Sequence, residues 1–311
     1  PLTIFRLDSQ HEYAVFEIGM SRAGEIRSLS QVVKPDICII TNIGVSHIEY
    51  LGSREGILRA KCEIFENMQP NGLAVLNGDD DMLTALKLDF PVLYYGFGPG
   101  NDVRAEDVVA DGLRGTLFTV RQGDIHFRAK TPLPGIHLVR TALAVSAVGL
   151  RLGLSPQEIA QGIESFKPSK MRMDIIRTNS RITLINDAYN AGPESMKAAL
   201  DILAQAGGRR VCVLGDMLEL GAYSRELHED IGRYAGAVGI DLAVFVGENS
   251  RYAFEAFEDA KAINAGNTAM YFESKSELLK ELHGLLHKRD TVLVKASRGM
   301  GFEDVVTEIT R

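Results

Sequence analysis

Short apolar runs without a polar break, each followed by a stretch of helical periodicity, recur along this chain. That alternation constrains its fold more than any other feature. Asp36–Thr41 (DICIIT) is one such run. A strand that is apolar at nearly every position is covered on both faces, as a buried strand of a parallel sheet between helical layers is. Tyr13–Ile18 reads as a strand ahead of it and Ala23–Val33 as a helix. Ser53–Met68 has helical periodicity, and Gly72–Asn77 is again a strand. The series predicts a doubly wound α/β sheet. A second series follows, with strands expected at Ile182–Asn186, Arg210–Leu214, Leu242–Val246, Ala269–Phe272 and Thr291–Val294.

The texture changes between Phe90 and Leu133. Leu113–Val120 and Asp124–Ala129, separated by turn residues such as Gln122-Gly123, read as a small antiparallel elaboration. Leu138–Leu152 is rich in Ala and Leu and reads as a helix. Ser155-Pro156-Gln157-Glu158 opens another, with an N-cap serine and proline at the first helical position. Lys167–Lys170 reads as a linker, which divides the chain into domains of residues 1–167 and 168–311. With 311 residues, 45% of them hydrophobic, there is material for two cores.

The net charge of −7 excludes a broad basic surface for nucleic acid, so a phosphate-bearing partner would have to be held locally by metals, single cations or backbone amides. No apolar run nears the roughly 20 residues that span a bilayer, and no signal peptide opens the chain. Cys38, Cys62 and Cys212 are scattered through apolar runs, which points to a reducing cytoplasm. The start at Pro1, directly into strand-like sequence, reads as a truncation.

Ligands of open α/β sheets bind at the carboxyl ends of the strands. The polar residues expected there are Glu17, Asn42, His47, Asn77, Asp79 and Asp80 in the first half. In the second they are Asp187, Asn190, Asp216, Glu219, Lys295, Ser297 and Arg298. Each alone is as well explained as a turn or cap residue. Together they mark one kind of site. Glu17 and His47 have the chemistry for Mg²⁺ or Mn²⁺. Lys61 lies within the apolar stripe of its helix, three or four positions from Ile57, Leu58, Ile64 and Phe65. Its ammonium must reach the rim, pair with a carboxylate, or lose its charge, for instance as a carbamate.

Several motifs, in order, resemble the Mur ligase family. They are Phe16–Ile26 (FEIGMSRAGEI), Thr41–Ser53 (TNIGVSHIEYLGS), Arg59–Phe65 (RAKCEIF), Ile185–Met196 (INDAYNAGPESM), Val213–Gly221 (VLGDMLELG) and Val292–Arg298 (VLVKASR). The resemblance implies a central ATPase-type sheet followed by a Rossmann-like C-terminal α/β domain. The last three motifs resemble the branch that joins D-alanyl-D-alanine to a UDP-N-acetylmuramoyl tripeptide through an acyl phosphate. The resemblance implies ATP and two Mg²⁺, with Glu17, His47 and a carbamylated Lys61 as metal-binding and catalytic residues. It puts Asn42, Arg172, Asp187, Asn190 and His137 at the nucleotide, and Tyr189, Lys295, Ser297 and Arg298 at the substrate. It also implies a cytoplasmic monomer.

Two departures stand against the family pattern. The Gly-Lys-Thr/Ser phosphate loop does not occur in these residues; the nearest run, Ala296–Gly301, lacks the lysine. The family's His-Asn-x-x-Asn-Ala becomes His137-Leu138-Val139-Arg140-Thr141-Ala142, and Leu138 has no side-chain hydrogen-bonding group. The expectation is a ligase whose 311-residue portion does not turn over alone. The competing readings are a non-catalytic binding module of ligase descent and a ligase for another amine.

Overall fold

The computed structural model describes residues 2–260 and 266–311. They form two compact units, one of residues 1–106, 120–127 and 140–159, the other of residues 107–119, 128–139 and 160–311. The first six-stranded sheet runs in chain order: β1 (Ile37–Ile40), β2 (Leu73–Asn77), β3 (Val92–Gly96), β4 (Val103–Ala110), β5 (Thr116–Gln122) and β6 (Ile125–Thr131). Strands β1 to β4 pair in parallel, and β5 and β6 are joined by the two-residue turn Gly123-Asp124. The second sheet is built from β7 (Asp174–Arg177), β8 (Thr183–Asn186), β9 (Arg210–Gly215), β10 (Leu242–Val246), β11 (Thr268–Phe272) and β12 (Thr291–Lys295). Its order is β11-β10-β9-β12-β8-β7, parallel throughout except for β7.

Alternation along the central strands explains why these runs are apolar at every position. On β9, Cys212 and Leu214 face one apolar cluster, which includes Met196, Leu200, Ile231 and Phe257. Val211 and Val213 face the other, with Leu278, Leu282, Val305 and Ile309. Helices thus cover both faces, and each fully buried Leu, Ile or Phe contributes about 1.5–3 kcal/mol relative to exposure. In the first unit, Cys38, Ile40 and Leu76 pack with Ile43, Ile57 and Phe65.

Several expectations are corrected. Tyr13–Ile18 is in no strand: β1 ends the sheet order, Val15 is 97% exposed, and a β-prone run with no ladder partner does not become a strand. The helix expected over Ser53–Met68 is α-helical only over Arg54–Cys62 and tightens into a 3₁₀ turn at Glu63–Asn67. The change of texture at Phe90 comes too early, because β3 and β4 continue the parallel series. Edge strand β7, four residues long and antiparallel, went unread. The helix at Pro156–Glu164 has the expected start: Ser155 Oγ accepts from the Glu158 amide (3.3 Å), and Glu158 accepts from the Ser155 amide (2.8 Å). The expected linker, residues 167–170, lies in neither helix nor strand.

Candidate active site

In the first unit the segment after β1 is fixed from beneath. Asn77 Nδ2 donates to the Thr41 carbonyl (3.0 Å). Asp80 accepts the Ile43 amide on one oxygen (2.7 Å) and the Met82 and Leu83 amides on the other (both 3.0 Å). Arg54 bridges the Ile43 carbonyl and Asp81. Ser53 caps the helix carrying Lys61 through the Gly56 amide (3.2 Å). Gly56 is required there, since a Cβ would lie 2.0 Å from the Leu51 carbonyl oxygen. The turn Ile48–Leu51 therefore packs directly on that helix, with His47 opening it at φ 64.

This framework holds His47 and Lys61, both half-buried, on one cavity of about 270 Å³, with Thr41, Asn42, Ser46 and Met20 also on its wall. Lys61 Nζ donates to the Asn42 carbonyl at 2.6 Å. Glu17 is exposed and does not line the cavity, although its neighbour Ile18 does. Ile26, also on the wall, sits on a helix whose start is held by buried Glu63, which accepts the Gly24 amide (2.7 and 2.9 Å) and the Arg27 amide (3.1 Å). Nearby, Glu25 is held below the usual carboxylate range by the Ser21 amide and then the Arg22 amide. Among the described residues no three His, Cys, Asp or Glu side chains stand close enough to hold a metal. An imidazole, a hydroxyl pair and a carbonyl do line the cavity, and an oxygen-bearing Lys61 would complete a set suited to a hard cation.

Asp79 serves structure. It accepts from the Phe97 and Gly98 amides (2.7 and 2.9 Å) and Asn101 (3.0 Å), with Arg140 at 3.7 Å. Burial pushes its carboxyl up, but those hydrogen bonds and the Arg140 charge outweigh burial and leave it low. His137 lies in the first turn of helix Ile136–Arg151 and is half-buried. Leu138 is packed against the apolar cluster that contains Leu133 and Ile202.

The second unit gathers its residues at the ends of β8, β9 and β12. Asp187 receives Lys295 Nζ on Oδ2 (2.5 Å) and the Met173 amide on Oδ1 (3.0 Å). Lys295 also donates to the Asn190 carbonyl (2.9 Å). Arg172 lies between Met171 and Met173, which take φ 65 and 50, and its guanidinium sits 4.3 Å from the centre of the Tyr189 ring. Arg298 is 5.8 Å from the same ring and is paired with Glu303. Lys295 and Ser297, expected to face substrate, are only 3% and 4% exposed, and they bind other residues of this unit. Tyr189, Asn190, Arg172 and Arg298 are exposed. Asp216 accepts the Ser250 amide and hydroxyl (both 2.7 Å), an approach that needs Gly247: at φ 118, a Cβ there would lie 2.6 Å from the carboxyl carbon.

Residues 1–149 match the Mur ligase middle domain and residues 171–298 match the Mur ligase, glutamate ligase domain. A UDP-N-acetylmuramoyl-tripeptide–D-alanyl-D-alanine ligase of Bacillus subtilis is 36% identical over 99% of this chain, and one of Escherichia coli is 33% identical over 98%. The chain belongs to the Mur ligase family. It spans 66% of the Bacillus protein and 67% of the Escherichia protein. A crystal structure of MurF from Acinetobacter baumannii superposes with a TM-score of 0.91 at 31% identity, covering 99% of this chain and 67% of that one. A MurF from Thermotoga maritima in complex with ADP gives 0.78 at 26% identity, with 96% and 68% covered.

Within this Mur ligase chain, sequence reasoning missed Arg54, Asp81 and His228. The first two sit on exposed or half-buried positions with no periodic signal. His228 had one, since Ile231, Gly232 and Ala235 place it on the buried face of its helix, the same reasoning that singled out Lys61.

Proposed function

We propose that the protein is an ATP-dependent ligase that joins D-alanyl-D-alanine to a UDP-N-acetylmuramoyl tripeptide in peptidoglycan synthesis, and that this chain carries its metal-side and amine-side residues. The observation that carries the reading is the cavity at the end of β1, where His47, Lys61 and Asn42 converge in a chain with this family identity. His47, with Lys61 as a carbamate formed from CO₂ with loss of a proton, would hold Mg²⁺ on the cavity wall, and Glu17, which is next to Ile18 and off that wall, is the carboxylate assigned to it by family resemblance alone; Mg²⁺ supplies positive charge against which two anions can approach. The tripeptide carboxylate takes the γ-phosphoryl group of ATP and ADP leaves. The dipeptide amine then attacks the acyl carbon, gives up a proton, and phosphate departs. Arg172, Asn42, Asn190 and His137 are assigned to the nucleotide side, with Asp187, bound to Lys295 and to the Met173 amide, holding the segment that carries Arg172. Tyr189 and Arg298 are assigned to the amine side, with Lys295 and Ser297 holding the segments beneath them.

We assign the protein to the cytoplasm as a monomer that binds no nucleic acid. The three unbonded cysteines support the reducing compartment and the −7 charge supports the lack of a nucleic-acid partner; no described helix is long and apolar enough to cross a membrane.

A second reading, a binding module without catalysis, is favoured by Leu138, whose place in an apolar cluster gives nothing to a nucleotide. One experiment separates the two. The chain is joined to the part of the Bacillus relative that it does not cover and assayed for phosphate release. Release that requires ATP, tripeptide and D-alanyl-D-alanine together supports the ligase; none, from a folded chimera, supports the module. Faster release with another amine displaces the dipeptide as substrate. The 311-residue chain alone, with no phosphate loop, is expected to release none.

A further inference from the structure

His228 takes part in neither of the sites described. It lies on helix Ser224–Ala237, is 2% exposed, and has both ring nitrogens engaged. Nδ1 is 2.7 Å from the Ser224 carbonyl oxygen, which can only accept, so Nδ1 carries the proton. Nε2 is then a lone-pair acceptor, and the Met217 amide donates to it at 3.0 Å. Only the neutral Nδ1–H tautomer satisfies both. Burial holds His228 below the ordinary histidine range, against the opposing pulls of the Ser224 carbonyl and then the Asp216 carboxylate.

Met217 belongs to the loop after β9. The next amide, Leu218, donates to Ser297 Oγ (2.9 Å), and Ser297 donates onward to the Ala191 carbonyl (3.3 Å). The Ser297 amide returns to the Asp216 carbonyl (3.1 Å). One path of hydrogen bonds therefore runs from His228 through two strand-end loops to the segment that carries Tyr189 and Asn190.

We propose that His228 is a positioning residue: as a neutral Nδ1–H imidazole it pins the Asp216–Leu220 loop to Ser297, and through Ser297 it sets the Tyr189–Ala191 segment that meets the amine substrate. Only the last link rests on the ligase reading. A histidine present for packing alone could become leucine without consequence for the loop. Here leucine would leave the buried Met217 amide without an acceptor. Glutamine sets an amide oxygen near the place of Nε2 and keeps the acceptor, whereas asparagine reaches only the place of Nδ1.

The test uses the 311-residue chain. Ring ¹⁵N shifts at neutral pH are expected to report the Nδ1–H tautomer; the Nε2–H tautomer overturns the proposal. Amide exchange is then followed in His228→Gln, His228→Asn and His228→Leu. Met217 and Leu218 should exchange about tenfold faster or more in the Asn and Leu variants, and near the wild-type rate in the Gln variant, with β10 amides unmoved. Unchanged Met217 and Leu218 exchange in a folded Asn or Leu variant overturns it, and the Asn variant keeps the test open if the Leu variant does not fold. In the active chimera, KM for the dipeptide should rise about tenfold in His228→Asn and recover in His228→Gln. A loosened loop with KM unchanged overturns the link to the amine. A wild-type chimera without ligase activity overturns the ligase reading alone, and the tautomer and exchange results still decide the positioning of the loop.

Discussion

The two units build their strand ends by opposite means. In the first, polar residues under the loop after β1 fix its backbone, and the chemistry-bearing side chains His47 and Lys61 stay half-buried on an open cavity. In the second, the functional-looking side chains are themselves the framework: Asp187, Lys295, Ser297, Asp216 and His228 are all spent on one another or on backbone. The first arrangement puts those side chains on the wall of a cavity. The second fixes the surface on which Arg172 and Tyr189 are displayed. Residue type at a strand end therefore does not tell a contact residue from a supporting one; burial does.

The contrast is easiest to break with the largest expected effect. Lys295→Met leaves the Asp187 carboxylate without its buried partner and is expected to cost about 3–5 kcal/mol in urea unfolding. A loss below about 1 kcal/mol would mean the pair is not structural. Asp80→Ala removes a helix cap together with the Ile43 contact, and should cost about 1–2 kcal/mol and speed exchange of the Ile43 amide. Lys61→Met, by contrast, should cost no more than about 1 kcal/mol, since Lys61 is half-buried and methionine keeps most of its apolar stem; a loss as large as that of Lys295→Met would erase the distinction between the units. Acid supplies the gentlest probe. The folded state holds His228 below 6.5, so its contribution is complete above about pH 6.5 and is lost as pH falls toward the lowered value, because the unfolded chain takes up the proton first. Unfolding midpoints of wild type and His228→Gln should therefore converge as the pH is lowered from 7 toward 5.

The second sheet was the most legible part of the sequence. Strands such as Leu242–Val246 are buried on both faces, so their composition alone marks them. Tyr13–Ile18 shows the limit, because strand propensity carries no information about whether a partner edge is present. The hairpin β5–β6 was readable from Gln122-Gly123, whereas β7 had four residues and one neighbour to announce it. For the sites, the sequence indicated which residues stand at strand ends, since β-α order dictates that, except for Glu17, whose expected strand does not form. It could not separate Lys295 from Arg298, three positions apart, of which one is buried and the other open. That difference arises from Asp187 and Asn190, more than a hundred residues earlier in the chain.

The burial of Lys295 against Asp187 has a consequence for ionic strength. Salt screens charges that ions can surround, over about 8 Å at physiological strength and about 3 Å at 1 M. The exposed pairs Arg27–Glu66 and Arg225–Glu229 lie within that atmosphere and should fade in brine. Lys295, 3% exposed, lies beneath it. Concentrated salt would thus soften the periphery of both units and leave the corner that presents Arg172 and Tyr189 in shape, with ligand binding weakened there by competition from ions and not by loss of form.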